Sequence, residues 1–398
     1  MILLLYLDPG TGSLLLYAII GIATTFLFFL KKILSKLKIK IFGKGVSSDK
    51  HYGIVIHSEG TRYFSTFKKV IDEFIQHEIK LTYITSQKDD IAFSINSPYL
   101  EVFCPGNEYQ TYAYLNNLDA DIVVSTTPHL DIYMWKKSKK VKKYIHIFHA
   151  PTSIDFYEKY ALSFYDIIFS AVKQTESAQK FLDEKRNCTI KQYYSVGCPY
   201  LDDMIEQCKK IPRNNDSLTV LYAPSWGIRS SLNTNGKYII SSLLSKKIKV
   251  IFRPHPQSFI SDKDLLDSII MEFKNQPNFC FDSNNSNLQS MVNSDALITD
   301  FSGILFDYKV IFNKPIYLAS DNLNIHGYEI EDLPEKLQFD IPYSNLYSKK
   351  LTDTVLENIE NELSCYENSE QSESAIHNVG NASHTVFEKI IEIWKEIK

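Results

Sequence analysis

Four short segments carry side chains able to do chemistry. In YIHIFHAP (residues 144–151), His149 ends an apolar run and is followed by Ala150 and Pro151. Imidazole titrates near neutral pH, which makes it a natural general base. His146 lies three residues earlier, so on a strand the two rings face opposite ways. A packing role is the alternative for either ring. In VIFRPHP (residues 250–256), Arg253 and His255 follow an apolar run, and Pro254 and Pro256 restrict the backbone. Paired cations there suit a phosphate. In LITDFSGILFDY (residues 297–308), Thr299 and Asp300 end a strand and Ser302 and Gly303 open a helix. Amide groups at a helix start favour an anion, although Ser302 can also be read as a simple cap. In LYAPSWGIR (residues 221–229), Pro224, Ser225 and Trp226 form a loop fit to flank a ring or a sugar-like ligand.

Each segment sits where an apolar, β-rich run gives way to a polar turn. From Tyr52 onward such runs alternate with amphipathic stretches: YGIVIHSEG, then a helix over residues 62–77, then IKLTYITS, ADIVVSTT and YDIIFSAV. The polar stretch IPRNND (residues 211–216) interrupts the pattern, which resumes with SLTVLYAPSW, KVIFRPHP, NFCFDS, DALITD and KPIYLAS. Strands alternating with helices predict parallel sheets, and the interruption predicts two doubly wound halves. Such halves bind ligands at the carboxyl ends of their strands. The expected division is residues 1–45, 46–210 and 211–398, with the last helix (residues 385–398) counted in the third part although its pattern lets it pack on either half.

The first part differs from the rest. Asp8 is the only side chain charged at pH 7 in residues 1–30, and residues 14–30 (LLLYAIIGIATTFLFFL) would make about 25 Å of helix. Lys31, Lys32, Lys36, Lys38, Lys40 and Lys44 follow, with no acidic residue among them. Positive charge after the apolar stretch is the reverse of a signal peptide. It predicts an uncleaved single-pass anchor at the cell membrane, with everything beyond Lys31 cytoplasmic. A buried helix of a soluble protein is the alternative. The 398 residues carry a net charge of −4, which argues against a dedicated nucleic-acid binder. None of the six cysteines forms a CxxC pair, so the sequence offers no zinc or redox motif. No metal-ligand cluster is visible and no cofactor is expected, though a loosely held divalent cation is compatible with the sequence.

Taken in order, FHAPTS, LYAPSW, FRPHP and ITDFSGILFDYKVIFNKPIYL resemble the CDP-glycerol glycerophosphotransferase family, the teichoic-acid primases and polymerases. The resemblance covers roughly residues 120–330. It implies a GT-B arrangement of two Rossmann-like domains facing a cleft. It implies His149 as the catalytic histidine of the first half and His255 as the histidine that meets the donor pyrophosphate. It places donor phosphates over Thr299, Asp300, Ser302 and Gly303. The family's glycine after the first histidine is Ala150 here, and Pro151, Thr152 and Ser153 replace its usual Thr-Pro-Leu-Lys. Gly227 replaces a common arginine, and Gly303 stands where a second serine is usual.

The implied reaction moves glycerol phosphate from CDP-glycerol to a hydroxyl of a lipid-linked or polymeric cell-envelope acceptor, releasing CMP. Two alternatives remain: a GT-B glycosyltransferase using a nucleotide sugar, and a non-catalytic, membrane-tethered nucleotide-binding protein.

Overall fold

A computed structural model describes residues 50–214, 217–284, 286–300, 302–320, 326–338, 348–366 and 376–398. The expected anchor at residues 14–30 lies outside them. Among the described residues, no helix is long and apolar enough to cross a membrane.

The strands form two wholly parallel sheets. The first holds β1 (His51–Ser58), β2 (Leu81–Thr85), β3 (Leu100–Phe103), β4 (Asp119–Ser125), β5 (Val141–Ile147), β6 (Ile167–Ser170) and β7 (Gln192–Ser195). Their spatial order is β3-β2-β1-β4-β5-β6-β7. The second holds β8 (Thr219–Ala223), β9 (Lys249–Phe252), β10 (Phe279–Phe281), β11 (Ala296–Asp300), β12 (Ile316–Ser320) and β13 (Ser348–Lys350). Their order is β10-β9-β8-β11-β12-β13. Each sheet therefore reverses direction beside its first strand, between β1 and β4 and between β8 and β11. Loops diverge there and leave a crevice at the carboxyl ends.

Central strands are buried on both faces, which is why IVIHS, IVVS and ALITD read as continuous rather than alternating patterns. The helix Phe64–Gln76 covers one face. Phe67, Val70, Ile71 and Phe74 follow the 3.6-residue period and are fully buried against Ile54, Ile56 and Tyr83.

The closing helix, Ala382–Ile397, corrects the expected division. Val386, Phe387, Ile390 and Ile393 pack into the core of the first sheet rather than the second. Phe387 meets Phe74 edge-on at 5.0 Å, and Trp394 donates its indole N–H to Asp121 Oδ2 over 2.9 Å. An amphipathic pattern says that a helix must pack, not what it packs against.

One apolar core runs through both halves. Phe148, Ile154 and Tyr157 from the first share it with Leu305, Phe306 and Tyr308 from the second. The segment 326–338 adds polar ties. Lys159 N–H donates to the Gly327 carbonyl, Tyr160 N–H donates to Glu329 Oε1, and Arg186 pairs with Glu329 and Asp332.

Candidate functional site

His149 lies just beyond the carboxyl end of β5. The rings of Tyr63 and Tyr157 stand edge-on to it, at 5.1 and 6.4 Å. Burial, with the Arg62 charge adding to it, pushes its pKa down to about 4. The ring is therefore neutral at pH 7. Nδ1 is buried without a hydrogen-bond partner, so Nε2 is the nitrogen a substrate can reach. His146 departs from the expected opposition: His149 lies past the last strand residue, Ile147, and both rings contact Tyr157. His146 is fully buried, lies 3.2 Å from the Tyr157 hydroxyl through Nε2, and belongs to the core.

The second half holds the helix start expected to cradle an anion. The helix Gly303–Phe312 has Ser302 as its N-cap, with no side-chain cap hydrogen bond. No heavy atom outside the helix backbone and the adjoining residues lies within 4 Å of where a Cβ on Gly303 would sit, so space is open beside that residue. The first amides of such a helix carry unpaired N–H groups and a favourable dipole.

Thr299 and Asp300 shape this cradle rather than line it. Thr299 Oγ1 donates to the Ala223 carbonyl over 2.6 Å, across the β8–β11 switch point. Its one proton spent, Thr299 accepts from Ser302 Oγ at 3.2 Å. Asp300 is almost fully buried. Its Oδ2 accepts from the Ser225 amide (2.8 Å), the Ser225 hydroxyl (2.8 Å) and the Ser231 amide (3.1 Å). A carboxylate there would repel a phosphate. What it does instead is hold the loop after β8 against the cradle.

That loop is fixed at its other end too. Gly227 adopts φ +87°, which favours glycine. Its N–H donates to Asp262 Oδ2 over 3.2 Å, and Asn233 donates to both the Gly227 carbonyl and Asp262 Oδ1. Between these pins Pro224 is buried and Trp226 is exposed, its ring 6.4 Å from that of His255. His255 Nδ1 accepts the Gln257 N–H over 3.1 Å. A neutral His255 then carries its proton on Nε2 and presents a donor outward. Partial burial lowers its pKa, which favours that neutral form.

Arg253 departs from the expectation. Its guanidinium donates to Asp282 Oδ2 over 2.6 Å and to the Asn284 carbonyl over 2.8 Å. Parallel pairing explains this: Phe252 is opposite Phe281, so the residues that follow are neighbours. Burial alone would raise the Asp282 carboxyl. Hydrogen bonds from Ser290 and Asn284, together with Arg253, instead hold it below the ordinary range. Arg253 braces the His255 turn and does not reach out as a second phosphate-binding cation.

The elements that carry the two sets of candidate residues meet through packing. The short turn Ile154–Phe156 follows the His149 loop, and Phe156 lies 6.3 Å from Phe306 on the Gly303 helix. Sequence reasoning did not single out Arg62, Tyr63, Asp262 or Asn233. HSEGTRY, a strand running into a glycine turn with an arginine, was the available signal for the first two. Among the described residues, no three of His, Cys, Asp and Glu cluster as metal ligands do.

Two parallel sheets, each with a switch point beside its first strand, define a GT-B-like α/β architecture. It is shared with the wall teichoic acid polymerase TagF, at 16% identity over 98% of this chain and 99% of that one (TM-score 0.52). It is also shared with the UDP-GlcNAc 2-epimerase of Methanocaldococcus jannaschii, at 12% identity over 86% and 99% (TM-score 0.57). A putative UDP-N-acetylglucosamine 2-epimerase of Listeria monocytogenes is similar again, at 11% identity over 87% and 98% (TM-score 0.58). No curated protein matches the sequence. The family is nonetheless defined. Residues 48–391 match CDP-Glycerol:Poly(glycerophosphate) glycerophosphotransferase, and the chain belongs to that family.

Proposed function

We propose that this chain transfers glycerol phosphate from CDP-glycerol to a hydroxyl of a lipid-linked or polymeric cell-envelope acceptor. The observation that carries the reading is the packing of the His149 loop, through Phe156 and Phe306, onto the helix that opens at Ser302 and Gly303. The family description supports the reaction class, and a TagF structure soaked with CDPG supports the donor.

The acceptor oxygen attacks the phosphorus that bears glycerol. A new P–O bond forms there as the bond to CMP breaks. His149 Nε2 takes the hydroxyl proton. The Gly303 helix start receives negative charge on the phosphates, and His255 Nε2–H donates to the departing CMP phosphate. Trp226 and the Pro224–Ser225 turn flank the nucleotide. Such a transfer depends on positioning and charge stabilisation rather than on covalent chemistry by the protein.

The test is a donor panel: CDP-glycerol, CDP-ribitol and UDP-sugars with candidate acceptors, following nucleotide release. CMP release with CDP-glycerol alone is expected. UDP release with a UDP-sugar would favour a glycosyltransferase, and binding without turnover would favour a non-catalytic protein.

The apolar stretch at residues 14–30 and the six lysines after it support a membrane anchor with the catalytic part on the cytoplasmic side. Deleting residues 1–45 is then expected to move the protein from the membrane fraction to the supernatant. Unchanged sedimentation would contradict the anchor.

A further inference from the structure

We propose that Arg62 is the binding residue for a phosphate on the acceptor, so that the acceptor as well as the donor is held by its charge. The inference rests on the transferase reading above and adds a second anion site, on the half opposite the donor cradle.

Arg62 stands on the loop that leaves β1. β1 lies between β2 and β4, so this loop borders the switch-point crevice of the first sheet. The loop is held rigidly. Gly60 has φ +147°, and a Cβ there would strike the side-chain amide of Gln87. Gln87 Oε1 accepts the Thr61 N–H over 3.0 Å, and Thr61 Oγ1 accepts the Ile91 N–H over 3.2 Å. The backbone that carries Arg62 is thereby clamped to the loop after β2.

The side chain is placed but not consumed. Its guanidinium lies over the Tyr63 ring, 4.6 Å from the centroid. The same Tyr63 ring meets His149 edge-on. One aromatic ring thus spaces a cation from the candidate base. The Arg62 side chain is 73% exposed, and its ion-pair partner is Glu59 at 3.3 Å. Glu59 is half-buried, but the pair is open to water on its arginine side and long at 3.3 Å, so it is worth little and an arriving anion displaces it at small cost. A guanidinium offers a planar fork of donors that matches a phosphate. A phosphate seated on it would leave the acceptor hydroxyl, a few bonds away, near His149. Glu59 then acts as a stand-in for the anion and competes with it.

This competition gives two variants with opposite expected signs. Glycerol 3-phosphate is the probe, titrated by calorimetry into the full chain with no donor present. Arg62→Ala is expected to weaken binding about tenfold or more, the loss of one charge-assisted contact. Glu59→Gln is expected to tighten it by about threefold, which a folding defect cannot do. CDP-glycerol affinity should stay at its wild-type value in both. Equal glycerol 3-phosphate affinity in wild type and Arg62→Ala would overturn the inference. So would parallel losses for both ligands, or no binding by wild type at millimolar concentration. Failure of the transferase reading would appear separately, as no CMP release from CDP-glycerol.

Discussion

The Tyr200 hydroxyl donates to Asp307 Oδ2 over 3.2 Å, joining helix Pro199–Lys210 of the first half to helix Gly303–Phe312 of the second. Asp307 is buried, and that burial pushes its carboxyl up from 3.8 to about 7. Below the unfolded value both states are protonated and the group has no effect on stability. Between about pH 4 and 7 the unfolded chain ionises first, so folding stability falls as pH rises and the penalty is complete above about 7. Asp307→Asn is expected to remove this slope. Thermal melts should give matching Tm values near pH 4 and a higher Tm for the variant at pH 8. Parallel curves for the two proteins would contradict the assignment.

Asp300 offers a cleaner test of the cradle, because three donors converge on one of its oxygens. Asp300→Asn keeps the shape and removes the charge. Weakening charge-assisted bonds costs roughly 1–2 kcal/mol, spent here on the order of the Ser225–Ser231 loop. The expected outcome is a donor KM raised about tenfold with a smaller change in acceptor KM. A donor KM at the wild-type value would show that the loop does not shape the nucleotide site.

Arg253 and His255 are two residues apart and should behave differently. His255 is exposed, so His255→Ala should fold normally and lose about a hundredfold in turnover, the scale for one donor to developing charge. Arg253→Ala leaves Asp282 buried without its cation and should cost roughly 3 kcal/mol of stability. Ser290 and Asn284 keep that figure at the low end by still bonding the carboxylate. Denaturant melts beside steady-state rates separate the two. Equal stability loss in both variants would contradict the division of roles.

The acid limb of kcat/KM reports a free-enzyme base. With His149 lowered to about 4 by burial and by Arg62, activity should persist well below pH 6.5 and fall only near 4. Arg62→Ala should move that limb upward, because it removes a positive charge near the imidazole. A limb fixed near 6.5 in both proteins would mean that another group titrates.

The strand ends were legible in the sequence because each is a sharp change from apolar β-branched residues to proline, glycine or charge. FHAP, APSW, RPHP and TDFSG all fall where β5, β8, β9 and β11 end. Their partners were not legible. Asp282 reaches Arg253 only through the register of β9 with β10, and Trp394 reaches Asp121 across most of the chain. Thr299 and Asp300 read as ligand residues because they sit in the motif. Their hydrogen bonds, set by the tertiary fold, make them the frame of the site. Arg62 escaped notice for the same reason, since only folding brings Tyr63 beside His149.

The central claim is that His149 takes the acceptor proton during transfer from CDP-glycerol. The most direct measurement is the initial rate of CMP release by the full-length chain with a glycerol-phosphate-bearing acceptor, wild type against His149→Ala. Acceptor-dependent release by wild type is expected. The variant should be slower by about a hundredfold to ten-thousandfold, with Tm and CDP-glycerol affinity retained. Wild-type rates in His149→Ala, or no CMP from the wild-type protein with any acceptor, would contradict the account.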